Sequence, residues 1–454
     1  MIDKVMSELQ KGGLCGTVIR AGEKAYDASC VTFYDWFHHR PALIVKAADA
    51  ADVSRTVCVA RDQGLVLAVR SGGHSIAGHS GCDGGIVLDL SAMHAVEVDP
   101  IHCTAWADTG ATAGHVTLAT AAHGLAVGFG DTASVGIGGL TLGGGVGYLS
   151  RKYGLTIDSL LAAEVVTADG ARLSADAATN PDLFWALRGG GGNFGVATRL
   201  KFQLQRVDQV LGGLLVLPVT PEVIEAFIEA VAAAPDELSV IANMIAPAPP
   251  MPFLPREHHG RPLIVAMMVY AGAIEEGQRV LASLRKAAPP LADMVRPMRY
   301  PEIYGVEGPH PAVASVRSLF IDRLGHEDAA AIAEYLRSTT ASMAAVQVRV
   351  LGGAMSRVAP DATAFAHRNR KIMVNVAALF QHPEETPAHE ARVIGLADTL
   401  GRGDQEVYVN FLGLEGPERL RQAYPGPTWN RLREIKRRYD PDNLFRVNKN
   451  IPPA

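Results

Sequence analysis

Residues 67–90 read LAVRSGGHSIAGHSGCDGGIVLDL: an apolar run, the pentapeptide RSGGH, four further glycines, and a return to strand-like sequence. Glycine has no Cβ and tolerates positive φ, so a tract this dense lets backbone come close to another group. Two more such segments follow, VGIGGLTLGGGVG at 135–147 and RGGGGNFG at 188–195. Tight turns rarely need three or four consecutive glycines, and runs of them cost backbone entropy that close approach must offset. The three segments together point to a ligand cradled on bare backbone.

On either side of RSGGH, strand-like and helix-like runs alternate. ALIVKA, LVLAVR, GGIVLDL, AVEVD and CTAWADTG read as strands, and ADAADVSRTVCVARDQG reads as a helix joining the first two, which makes a βαβ unit. AGHVTLATAAHG reads as a second helix, and LAAEVVTADGARLSA as a hairpin turning at Asp169-Gly170. NPDLFWALRGGGGNFGVATRLKFQL then gives a helix, a four-glycine loop and a strand. Past Val207 the texture changes. Amphipathic helices (PEVIEAFIEAVAAAP, EDAAAIAEYLRSTTASM) alternate with isolated strands (RPLIVAMMVYAGA, AAVQVRVLGG, KIMVNVAALF), the pattern of an α+β domain with antiparallel strands. The expected division is 1–207, 208–404 and a distinct terminal segment, 405–454.

A chain of 454 residues, 48% hydrophobic, is too long for one core and long enough for two or three. Its 42 basic and 47 acidic residues leave a net charge of −5, with no basic run able to track phosphates, so nucleic acid is not an expected partner. No apolar stretch approaches the ~18 residues of a membrane span, and the first twenty residues lack a signal-peptide pattern. The expectation is a cytoplasmic protein without a membrane partner. Cys15, Cys30, Cys58, Cys82 and Cys103 form no Cys-x-x-Cys pair and read as reduced thiols. His258-His259, in a proline-rich loop, and His74 with His79 lack companion ligands at metal spacing, so no metal is expected. GIGGLTLG at 136–143 is a poor Rossmann fingerprint, because no buried strand precedes it and no acidic residue closes a following strand.

VRSGGHSIAGHSGCDGGIVLDLSAM, GDTASVGIGGLTLGGGVGYLSRKYGLTIDSLLAAEVVTADG, NPDLFWALRGGGGNFGVAT and the terminal YVNF and YDPDNLFRVNKNIPP together resemble the berberine bridge enzyme-like branch of the FAD-linked oxidases, which share the vanillyl-alcohol oxidase fold. The resemblance runs in order through most of the chain, most strongly over 40–207 and 405–454. It implies an α+β architecture: a PCMH-type FAD-binding domain of two subdomains (core about 36–207), and a substrate domain with an antiparallel sheet and helices. The terminal segment would return to the FAD domain.

What the resemblance implies about residues is specific. The histidine of RSGGH is the family's covalent anchor for the flavin 8α-methyl, which falls on His74. Thr132 stands where many relatives carry a cysteine bonded to flavin C6, so a single covalent bond is expected. Arg70, Ser71, Gly72, Gly73 and Ser75 would contact the FAD diphosphate, largely through backbone N–H groups. Gly136, Gly138, Gly139, Gly143 and Gly145 would line the flavin and ribityl chain, Gly195 and Val196 the adenosine half, and Asn448 would return to the flavin. Any one of these glycines could instead merely permit packing.

Val135 resembles the position that admits oxygen to the flavin; by itself it is equally a packed β-branched residue. Tyr408 and Asn410, in YVNF, match the family's active-site strand, and Tyr408 is the candidate catalytic phenol, although a packed aromatic would look the same. Aligning AFAHR (364–368) puts Arg357 where the berberine enzyme has a glutamate base; an arginine cannot act as that base but could orient an anionic substrate. Ile76 and Val146 replace tyrosines of carbohydrate-oxidising relatives, which implies an aromatic, alkaloid-like or polyketide-like substrate. The expected function is an oxidase that moves a hydride from a small molecule to flavin and electrons to O2, releasing hydrogen peroxide. A dehydrogenase with another acceptor, a carbohydrate oxidase and a non-catalytic flavin carrier are the rivals.

Overall fold

The computed structural model describes residues 2–34, 36–305, 313–404 and 406–454. The run around RSGGH forms a four-stranded sheet in the order Thr17–Arg20, Leu43–Lys46, Ile86–Asp89, Leu67–Arg70, with the last three strands parallel and the first antiparallel. The expected crossover helix is Ala50–Asp62. Asp49 caps it by accepting from the Ala51 and Asp52 amides, and it buries Val53, Val57 and Ala60 against the sheet. Each fully buried valine of that face contributes roughly 1.5–3 kcal/mol.

A second, five-stranded antiparallel sheet follows, ordered Val96–Asp99, Thr104–Asp108, Val196–Gln203, Leu160–Val166, Arg172–Asp176. Its last two strands are the expected hairpin. The Thr167 amide donates to Ala171 O across Asp169-Gly170, and Asp169 Oδ1 accepts from the Ala171 amide. The helices Ala113–Ala121, Ile137–Gly143 and Pro181–Leu187 add Val116, Ile137, Leu183 and Leu187 to its core.

Residues beyond 208 build an eight-stranded sheet. Its main path runs Ala292–Asp293, Gln209–Pro218, Leu263–Tyr270, Leu238–Ala246, Met343–Val350, Ile372–Phe380, Val313–Ile321, and Arg296–Arg299 also pairs with Gln209–Pro218. The helices Pro221–Ala233, Ile274–Leu284, His326–Arg337 and Thr386–Gly401 pack on one face, with Phe227, Ile332, Val346, Val374 and Val393 in the shared core. Side chains alternate along a strand. Val346, Val348 and Val350 therefore face the helices, while Gln347 and Arg349 fall on the opposite face.

YVNF departs from the expectation. It is not a strand: Val409–Phe411 is a single 3-10 turn, in which the Phe411 amide donates to Tyr408 O. The β-branched and aromatic residues suggest extended chain, but tertiary contacts of Tyr408 and Asn410 set the local backbone.

Candidate active site

The three glycine segments meet. A Cβ on Gly72 would collide with Gly136 backbone, and the reverse collision involves Gly72 and the Ser71 hydroxyl, so RSGGH and the 135–147 segment lie backbone against backbone. Ser134 Oγ lies 3.0 Å from His74 Nε2, and the His74 ring stacks on Phe33 at 3.9 Å between centroids. The third segment joins through the Gly189 amide, which donates to Leu142 O at 3.0 Å. Asn193 then ties in the terminal segment, donating to Lys449 O and accepting from the Ile451 amide.

Several proposed cofactor contacts turn out to be engaged within the protein. The Arg70 guanidinium, desolvated and therefore shifted down from its usual range, donates to Ser80 O and Ser29 O. Ser71 Oγ donates to Thr109 O, and Ser75 Oγ accepts from the His79 amide at 3.1 Å. These side chains shape the loop, which leaves its backbone for a ligand. Gly138, Gly143, Gly145 and Gly195 are crowded by Thr109, Asn410, Thr156 and Val165, respectively, so they permit packing; Val196 is buried in the first sheet's core. Around Gly139 and Gly192, by contrast, a Cβ would meet nothing, and at Gly73 nothing nearer than 3.9 Å.

Tyr408 is 2% exposed. Its phenol oxygen accepts from the Gly145 amide at 2.8 Å and from Asn410 Nδ2 at 2.9 Å, and among the described residues it donates to no acceptor. Burial pushes its pKa up, against the opposing pull of those two N–H donors and of the Arg349 charge. The phenol is therefore neutral near pH 7, with its proton available to a bound molecule. Phe365 and Phe411 flank the ring edge-on, and Val146, Leu155, Ile157, Met355 and Met373 complete an apolar cluster around it.

Arg357 is not brought to this cluster. Its side chain is 64% exposed and pairs with Asp236 at 2.8 Å. Another arginine occupies the ground assigned to it. Arg349, only 5% exposed, donates to Asp131 Oδ2 at 2.7 Å and to Val146 O at 3.2 Å, and lies 5.1 Å from the Phe411 ring centre. Gln347 Oε1 accepts from Arg349 Nε, and Gln347 donates in turn to Asn243. The signal for Arg349 was present in MAAVQVRV: a strand alternating apolar and polar residues puts an arginine on the face turned from the helices. A second cross-link missed in the sequence is Arg368, fully buried, which grips Asp158 with two hydrogen bonds of 2.7 and 2.8 Å.

Comparison with known proteins places this geometry. The chain matches the FAD binding domain family over residues 41–176 and the berberine and berberine-like family over 407–452. It is 31% identical to (R)-6-hydroxynicotine oxidase of Paenarthrobacter nicotinovorans over 96% of this chain and 97% of that one. The crystal structure of 6-hydroxy-D-nicotine oxidase from Arthrobacter nicotinovorans superposes with a TM-score of 0.86 at 28% identity, covering 98% of this chain and 99% of that one. The glucooligosaccharide oxidase of Acremonium strictum, described with a 6-S-cysteinyl, 8α-N1-histidyl FAD, superposes with a TM-score of 0.87 at 23% identity, covering 99% of each chain. The fold and site define a flavin-dependent oxidoreductase. The chain belongs to the berberine bridge enzyme-like family of FAD-linked oxidoreductases.

The residues present fit FAD. Among the described residues, the backbone N–H groups of Ser71, Gly72, Gly73 and Ser75, and those of Gly138 and Gly139, donate to no protein acceptor, as a diphosphate cradle requires. The side-chain oxygens of Asn448 and Asn450 are buried without a donor, although Asn448 Nδ2 itself donates to the carbonyl of Gly192, where the backbone is open. Buried polar atoms are normally paired, so such orphans mark a place for a ligand.

Proposed function

We propose that the chain is an oxidase of a small organic substrate with an aromatic, alkaloid-like or polyketide-like framework, using O2 as acceptor and releasing hydrogen peroxide. The observation that carries this reading is Tyr408: a buried neutral phenol, held by Gly145 and Asn410, with an undirected O–H and an apolar wall. FAD, when bound, accepts the hydride and hands the electrons on. His74 would hold the flavin covalently through its ring, and Ser134 fixes the ring's orientation. Thr132 in place of a cysteine makes one covalent link the expectation.

Tyr408 would hold the substrate oxygen or nitrogen by donating its proton, and Asn410 fixes the direction of that donation. The apolar cluster excludes water from the reacting bond and favours a flat, poorly hydrated substrate over a sugar. A relative named for oxidation of 6-hydroxynicotine supports the same substrate class. Val135, partly buried against the second sheet's core, would be the residue that admits oxygen.

The test is peroxide release over a panel of phenols, cyclic amines and plain sugars, with air reoxidation of the dithionite-reduced protein. Turnover of phenols or amines and reoxidation within seconds are expected. Brisk oxidation of a plain sugar would overturn the substrate class; flavin that stays reduced in air for hours would overturn the oxidase.

A further inference from the structure

Lys449 is a partly buried cation with no ion-pair partner among the described residues, and Glu415 is the acid whose charge favours it. Its Nζ donates to Gly413 O at 2.9 Å, and among the described residues no carboxylate stands in ion-pair contact with it. The nearest acid, Glu415, is already taken: it pairs with Arg317 and with Arg419, and it accepts from the Gly413 amide. Two arginines therefore hold that buried carboxylate, and Lys449 feels its charge without an ion-pair contact. His79, which burial and then the Lys449 charge push down to about 3, is neutral and offers no counter-charge. Burial holds Lys449 itself down to about 8. Burial penalises a cation without an ion-pair partner, and a ligand that brings negative charge relieves that penalty.

The surroundings point to the source of that charge. Lys449 lies between Asn448 and Asn450, whose side-chain oxygens are buried without donors, and its carbonyl accepts from Asn193, next to the open backbone at Gly192. His79 lies five residues beyond His74 in the same glycine tract. We propose that Lys449 is the cation that faces a negative charge of the bound flavin dinucleotide. The inference rests on the flavin reading above. Two parts of the molecule can supply the charge: the diphosphate, which carries it at all times, or the isoalloxazine ring, which gains it on reduction.

The experiment uses holoprotein carrying Lys449→Gln, Lys449→Met or Lys449→Arg, with flavin occupancy read from absorbance and midpoint potential from dye equilibration. A diphosphate contact predicts severalfold lower occupancy in the first two variants, an unchanged potential in the flavin that remains, and recovery in Lys449→Arg. A ring contact predicts full occupancy and a more negative potential in the first two, with recovery in Lys449→Arg. Occupancy and potential equal to wild type in Lys449→Gln and Lys449→Met, whatever their melting temperatures, would overturn the assignment. A wild-type protein without flavin would refute the reading beneath it instead.

Discussion

The Tyr408 phenol receives the Gly145 amide at 2.8 Å across 263 positions of sequence, which ties the candidate catalytic group directly to the glycine tract that would carry the flavin. Gly145 has a φ of +79°, where a side chain would be strained, and a Cβ there would also collide with Thr156. The glycine places its N–H on the phenol; the geometry of the site begins with that bond.

Tyr408→Phe should leave flavin content unchanged and lower kcat by roughly 10²–10⁴, the range of a positioned proton donor. It should also destabilise the fold by about 1–3 kcal/mol, because the Gly145 amide and the Asn410 side chain lose a buried acceptor. Steady-state kinetics and urea unfolding check both; an unchanged kcat would make Tyr408 a packing residue.

Asp158→Asn removes the charge that Arg368 grips. Arg368 is fully buried and the Asp158 side chain is 11% exposed, so an uncompensated interior cation remains and stability should fall by roughly 3–5 kcal/mol. The contact joins the turn Thr156–Asp158 to the segment leading into Ile372–Phe380, so loss should appear in thermal unfolding followed by both flavin fluorescence and circular dichroism. A change below 1 kcal/mol would contradict this.

Glu406 gives a pH-dependent signature. The hydrogen bond from His367, joined by Arg370, holds its carboxyl down to about 2, against an ordinary value of 4.5. A depressed carboxylate stabilises the fold above its unfolded pKa and loses that contribution as pH falls through the folded one. Wild type should therefore melt higher than Glu406→Gln at pH 7, with the gap closing between pH 4.5 and pH 2. A gap independent of pH over that window would show that the charge of Glu406 contributes nothing.

Much of this architecture is legible in the sequence, for identifiable reasons. The βαβ unit announces itself by period: Leu43–Lys46 and Leu67–Arg70 are short apolar runs, and Ala50–Asp62 between them has a capping aspartate and helical spacing. The Asp169-Gly170 hairpin is written in its turn chemistry. The site is less legible, because side-chain direction depends on packing that sequence spacing does not carry. Arg357 and Arg349 are eight positions apart on the same stretch, yet one reaches Asp236 at the surface and the other Asp131 inside. Likewise YVNF has strand composition, but Tyr408 and Asn410 are fixed by partners more than 260 positions away, Gly145 and Leu140, which a local reading cannot see.

A flavin bonded to His74 cannot leave the chain when the protein is denatured in acid. Precipitated wild-type protein should keep its yellow colour in the washed pellet, and His74→Ala should release all colour to the supernatant. Colour that washes free of the wild type, or that stays in the His74→Ala pellet, would contradict the account.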